Sequence, residues 1–400
     1  MTQWQTLDRQ YLMNTYLRLP IAIAEARGNT LIDTEGKEYL DLFTGLAVNV
    51  LGHSHPAVME ALHRQGEQFL HISNKFLNIP AIRLAERLVK HSISGKVFFS
   101  NSGAEATEAA VKLVHKWTKE REDGKRGFVV MKKSFHGRTL GAVRLTRQPG
   151  VYQDFPMPEF PVIEVEPNDP DALERVCEEE NPAAILAEPI LGSGGVEPLV
   201  SSYLREMERL CRERSMLLLM DEIQTGMGRT GTLFAYQHDG IEPDLILFAK
   251  GVGGGLPLGG IIAGDELADL FRPGDHGTTF APSPLSAALG NAVLEELLER
   301  GQLEEGRRNA EYLWEKLRQL QKRFPSVLRE IRGRGMMIGV HTSLTPEQAN
   351  RLQLDLLDDG VLVDLTQQTV VRLLPPLTLK HAETDRFIGC LEHCLSRILS

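Results

Sequence analysis

The feature that most limits the fold of this chain is a repeated alternation between Lys96 and Gly264. Short apolar runs are each followed by small or polar residues and are separated by helical patterns and Gly/Pro turns. Runs that are apolar on both faces suit a mostly parallel sheet covered by helices, so this stretch reads as α/β. Strands are expected at 97–100, 128–131, 184–187, 216–220 and 245–249. In open parallel sheets ligands sit beyond the carboxyl ends of the strands, which sends the five following polar segments to one crevice.

The two chain ends read differently. Residues 29–41 predict a hairpin turning at Thr34-Glu35-Gly36-Lys37, and the chain after Ala292 is rich in Leu, Glu and Arg at helical spacing. Arg332-Gly333-Arg334-Gly335 leads into an apolar run at 336–340, a further strand is expected at 370–374, and 382–399 predicts an amphipathic closing helix. The expected division is an N-terminal arm with part of a smaller α+β domain at 1–55, a large domain at 56–290, and the rest of the smaller domain at 291–400. A length of 400 residues suits about two such domains.

Charge and composition narrow the partners. A net charge of −10 with scattered Lys and Arg argues against a nucleic-acid surface and favours small molecules. The first twenty residues lack the apolar core of a signal peptide, and no later stretch has the ~18 apolar residues of a membrane span, so the chain reads as cytoplasmic. Cys390, Cys394 and His393 share one segment, but buried structural cysteine is the default in a reducing compartment, and no metal site is expected.

Four segments carry chemistry. Lys250 ends an apolar run and precedes Gly251-Val252-Gly253-Gly254-Gly255, where an amine has little steric cover; a lone lysine there is more often a solvated charge. A dinucleotide fingerprint starting at Gly251 fails, because Leu256 stands where its last glycine belongs. Asp221 follows the run at 216–220, where a buried carboxylate needs a cation; a protonated pyridine nitrogen would supply one, and a helix cap is the plain alternative. Ser102-Gly103-Ala104 opens a helical pattern whose free N–H groups can take a phosphate, although many helices begin this way. In Phe135-His136-Gly137-Arg138 either ring could stack on a flat cofactor while Arg138 meets a carboxylate, with core packing of Phe135 as the alternative.

Taken in order, Asn101-Ser102-Gly103-Ala104-Glu105-Ala106, Phe135-His136-Gly137-Arg138-Thr139, Asp221-Glu222-Ile223-Gln224-Thr225-Gly226 and Ala249-Lys250-Gly251 resemble the class III, fold-type-I pyridoxal-phosphate aminotransferases, in their acetylornithine and ornithine branch. The resemblance covers nearly the whole chain. It implies a Schiff-base Lys250, Asp221 paired with the pyridine nitrogen, Gln224 near the cofactor's 3-oxygen, Phe135 over one ring face, and Ser102, Gly103 and Ala104 around the phosphate, with His136 in the same site. It further implies a homodimer whose neighbouring site is completed by Thr279, in His276-Gly277-Thr278-Thr279-Phe280. Arg372 would take the α-carboxylate of glutamate or 2-oxoglutarate, while Tyr16, Arg138 and Glu188 would line the substrate pocket, with Asn74 a weaker candidate.

Two departures from the family pattern stand out. Ser193 replaces the glutamate that, in ornithine-type relatives, neutralises the arginine matching Arg372 while an ω-amine reacts. Ala281-Pro282-Ser283-Pro284 replaces Gly-Gly-Asn-Pro and stiffens the segment beside Thr279. The resemblance thus implies amino transfer from an ω-amine, N-acetylornithine first, to 2-oxoglutarate. Other class III donors, such as ornithine, succinylornithine or 4-aminobutyrate, and an aminomutase stay open through Ser193; an NAD-dependent oxidoreductase is the more remote alternative.

Overall fold

A computed structural model describes residues 3–399. Its centre is a seven-stranded sheet made of β4 (Gly95–Ser100), β5 (Phe128–Met131), β6 (Val162–Val165), β7 (Ala184–Ala187), β10 (Leu217–Asp221), β11 (Leu245–Phe248) and β12 (Gly259–Gly264), in the order β4-β12-β11-β10-β7-β5-β6. The ladder from β6 to β11 is parallel, and β12 runs antiparallel to both its neighbours. Strands β5, β7, β10 and β11 are buried at every position, as their unbroken apolar runs require when helices cover both faces.

The five expected strands all form, with shifts of one or two residues at their ends. Two others carried no clear signal. In β12, Gly259 and Gly260 dilute the apolar run, yet a Cβ at Gly260 would lie 2.3 Å from the Phe98 carbonyl, so close packing demands glycine. The other, β6, is a half-buried edge strand.

The chain ends meet, as the helical C-terminus and N-terminal hairpin suggested. Three strands, β1 (Ile23–Arg27), β2 (Thr30–Asp33) and β3 (Glu38–Asp41), form an antiparallel ribbon, and β15 (Val361–Leu362) adds to β3 in parallel. A second sheet orders β13 (Leu328–Arg334), β14 (Met337–Thr342), β17 (Val370–Leu373) and β16 (Asp364–Thr366). The Arg332-Gly333-Arg334-Gly335 segment is therefore mostly strand, with Gly335 at φ +58° making the turn into β14. A short ribbon, β8 (Ile190–Leu191) with β9 (Glu197–Pro198), projects the 192–196 loop toward that sheet. Among the described residues no helix is long and apolar enough to cross a membrane. Cys390 and Cys394 sit on the closing His381–Leu399 helix, with the Cys394 thiol 3.6 Å from Asp359.

Candidate active site

A cavity of about 470 Å³ opens beyond the carboxyl ends of β4, β5, β7, β10 and β11. Its wall includes Ser102, Gly103, Ala104, Phe135, His136, Arg138, Glu188, Ser193, Asp221, Gln224 and Lys250. The convergence has one main cause: apart from Ser193, which follows β8, these side chains sit at or in the segments after the ends of strands in the same sheet.

Lys250 follows β11 and is held at φ +49°, a left-handed conformation that non-glycine residues rarely adopt. Burial, then the Arg372 charge, lowers its amine to about 8, while Asp221 and Glu188 pull the other way. Asp221 is the last residue of β10 and 3% exposed. Its Oδ2 lies 2.7 Å from His136 Nδ1, and its Oδ1 accepts the Ile223 N–H at 3.1 Å. His136 is pinned at its backbone too: its N–H donates to Thr146 and its carbonyl accepts from Thr107.

The two rings after β5 are placed differently. His136 turns inward on Asp221, as a buried carboxylate has to find a polar partner. Phe135 stays half-buried in the wall with Arg138 5.9 Å from its ring. The helix-cap alternative for Asp221 falls away, since the residues after it form turns rather than a helix.

The Gly103–Arg121 helix starts at the cavity. Ser102 caps it, its Oγ accepting the Glu105 N–H at 3.2 Å, which leaves the first-turn N–H groups of Gly103 and Ala104 without an intrahelical acceptor. The Ser102 hydroxyl proton is free to donate as well. A Cβ at Gly103 would meet Ile223 at 2.9 Å, so that glycine and Ile223 fit together at the cavity edge. Gln224 Oε1 is buried without a partner, and a Cβ at Gly192 would sit 2.0 Å from it. Glu188 accepts the N–H groups of Phe135 at 2.8 Å and Gly192 at 3.1 Å, tying two loops of the wall together, and burial raises its carboxyl to about 7.

Other expected site residues lie apart. Arg372, 6% exposed on β17, stands beside the cavity with Nε and Nη2 on Asp364, at 2.8 and 2.6 Å. Tyr16 is 65% exposed and outside the wall. Thr279 is exposed on the loop before the Pro284–Leu298 helix; its neighbour Thr278 accepts from Asn101 at 2.9 Å. Asn74 braces that loop, donating to the carbonyls of Thr278 and Ala281. Sequence reasoning missed Asp364, which belongs to no motif and is brought to Arg372 only by strand register. It also missed the brace made by Glu222, which accepts the N–H groups of Ala235 and Tyr236.

The arrangement fits a flat phosphorylated pyridine carbonyl compound: free N–H groups for a phosphate, a buried carboxylate for a ring cation, an unpartnered amide oxygen, and an amine lowered toward neutrality. Residues 11–395 match the family described as Aminotransferase class-III. The chain is 41% identical over 396 residues, covering 98% of it and 99% of its relative, to the acetylornithine aminotransferase of Caldanaerobacter subterraneus. Its fold superposes at TM-score 0.92 and 30% identity on the ornithine aminotransferase of Toxoplasma gondii, a structure described with partial occupancy of PLP at the active site, over 99% of this chain and 96% of that one. N-acetylornithine aminotransferase from Stenotrophomonas maltophilia matches at TM-score 0.84 and 31% identity, over 98% and 99% of the two chains.

Proposed function

The chain belongs to the class III aminotransferases, which use pyridoxal phosphate, and from that premise we propose that it moves the terminal amine of N-acetylornithine to 2-oxoglutarate. The observation that carries the reading is the meeting of Asp221, Lys250 and the N-terminus of the Gly103–Arg121 helix in one cavity, together with relatives of that name aligned over nearly the full chain. When bound, the cofactor supplies an electrophilic carbonyl and a cationic ring that withdraws electrons from the reacting carbon.

The protein's residues supply the rest. Asp221, oriented by His136, would stand beside the ring nitrogen, where a carboxylate favours the protonated ring. Gly103 and Ala104 N–H groups and the Ser102 hydroxyl bind the phosphate. Phe135 and Ile223 provide apolar walls, and Gln224, which lines the same cavity, would take the ring oxygen. Lys250 would hold the cofactor through its amine, and as a neutral amine it would move a proton to and from the donor's reacting carbon. Arg372 receives the carboxylate next to the reacting carbon of glutamate or 2-oxoglutarate, and Arg138, at the cavity's exposed side, receives the distal carboxylate.

The working unit in this reading is a cytoplasmic homodimer in which Thr279, and the Tyr16 segment, complete the partner's cavity. Support comes from exposed apolar side chains at Leu17, Phe76, Leu77 and Phe280, 104%, 69%, 84% and 65% exposed. The division at 1–55, 56–290 and 291–400 accompanies it, the outer two segments sharing the β3–β15 pairing.

The test is a donor panel with 2-oxoglutarate, comparing N-acetylornithine, succinylornithine, ornithine, 4-aminobutyrate and simple α-amino acids. N-acetylornithine is expected to give the highest kcat/KM; a panel led by α-amino acids sinks the substrate assignment.

A further inference from the structure

Arg372 faces a problem that follows from the proposed reaction. When glutamate or 2-oxoglutarate reacts, the reacting carbon carries a carboxylate and Arg372 has an anion to meet. When an ω-amine reacts, that carbon carries only hydrogen and a methylene chain, and a buried guanidinium beside it would lack a counter-charge. An unpaired buried cation is costly.

The structure holds a counter-charge there. Asp364 on β16 stands directly opposite Arg372 on β17 in the antiparallel ladder, so both side chains leave the same face of the sheet. One oxygen, Asp364 Oδ2, takes both Nε and Nη2 of Arg372, at 2.8 and 2.6 Å. This is a side-on contact. A guanidinium also has an end-on edge, formed by its two terminal nitrogens, and here Nη1 on that edge is buried with no partner. Arg372 is thus neutralised from the side, while Nη1 on its end has no partner within the chain. The ladder ties Asp364 to Arg372, and the next turn is anchored to the cavity wall, where Thr366 and Gln367 donate to the Ser193 carbonyl at 2.9 and 2.8 Å.

The geometry points to Asp364 as a specificity-determining residue: a fixed counter-ion that lets one pocket accept both an ω-amine, which brings no charge to Arg372, and a 2-oxo acid, which does. This rests on the reading of Arg372 as the carboxylate receiver. Asp364 need not leave for a second carboxylate to bind, because it occupies the Nε–Nη2 edge and leaves the end-on edge to that second anion. The cost falls on carboxylate binding, which Asp364 weakens by repulsion, and the gain falls on donors without a carboxylate at the reacting carbon.

The test uses the cofactor-loaded enzyme and Asp364→Asn. Two half-reactions are compared, with N-acetylornithine and with L-glutamate, and glutarate, which cannot react, is titrated by calorimetry. Kcat/KM for N-acetylornithine is expected to fall at least about tenfold while that for L-glutamate holds or rises, and glutarate is expected to bind at least about tenfold tighter. A loss equal for both donors, or an unchanged glutarate affinity, overturns the inference. Should the Asn variant fail to fold, Asp364→Thr, whose branched side chain suits a strand, carries the same comparison. A wild-type enzyme that uses no ω-amine sinks the functional reading, and the glutarate titration alone then decides the counter-ion.

Discussion

Lys250 concentrates most of what is unusual in this molecule. Its left-handed backbone sits in closely packed surroundings: a Cβ at the next residue, Gly251, would strike Val50 at 2.8 Å, and the flanking elements are buried. Replacing Lys250 with Ala is expected to remove covalent cofactor attachment, seen as a changed visible spectrum, and to lower turnover at least about 10²-fold. Its amine, near 8 instead of the ordinary 10.5, is neutral above that value, so a rate that depends on the free base should rise with pH and level off past about 8. Stability follows the same sign. Between about 8 and 10.5 the unfolded chain binds the extra proton, so the cofactor-free protein gains stability as pH rises through that window, and Lys250→Met should flatten the gain in denaturant titrations. Asp221→Asn leaves the hydrogen bonds largely in place but removes the charge, and should cut kcat by about 10²–10³-fold with little change in melting temperature.

Strands and the turns after them decide where these side chains arrive. Leu219, fully buried in the middle of β10 between β7 and β11, has no room to relax, and Leu219→Ala should cost about 2–5 kcal/mol in chemical unfolding. The 192–196 loop acts through contact instead. Because a Cβ at Gly192 would overlap the Gln224 oxygen, Gly192→Ala is expected to displace Gln224, weakening cofactor affinity while the fold persists. Adding Gln224→Ala should then cause little further loss; independent, additive losses measured by cofactor titration would show that Gly192 acts otherwise.

At the scale of the whole molecule, the proposed dimer is what would bring Thr279 and Tyr16 to a site. Thr279 and Tyr16 lie outside the cavity wall, and large apolar side chains close to each in sequence, Leu17 and Phe280, are exposed. Sedimentation should show a dimer. Mixing Lys250→Ala subunits with Thr279→Ala subunits should yield activity above the mean of the two parents, since one of the two sites in each hybrid regains both residues; no recovery after verified subunit exchange would place Thr279 outside the partner's site.

Legibility in the sequence tracked how local the physics is. Buried strands announce themselves as unbroken apolar runs, and the polar ends of those runs gave Ser102, Phe135, Asp221 and Lys250 their common address before any coordinates, because sheet geometry alone gathers strand ends. The glycine-diluted β12 and the half-buried β6 stayed hidden, since their place depends on neighbours rather than on their own pattern. Tertiary structure alone decided that His136 turns to Asp221, that Glu188 braces two loops, and that Asp364 stands against Arg372. Each of these is a pairing of polar groups far apart in the chain or set by register, and the need to satisfy buried charge becomes specific only once the fold has fixed which groups are buried together.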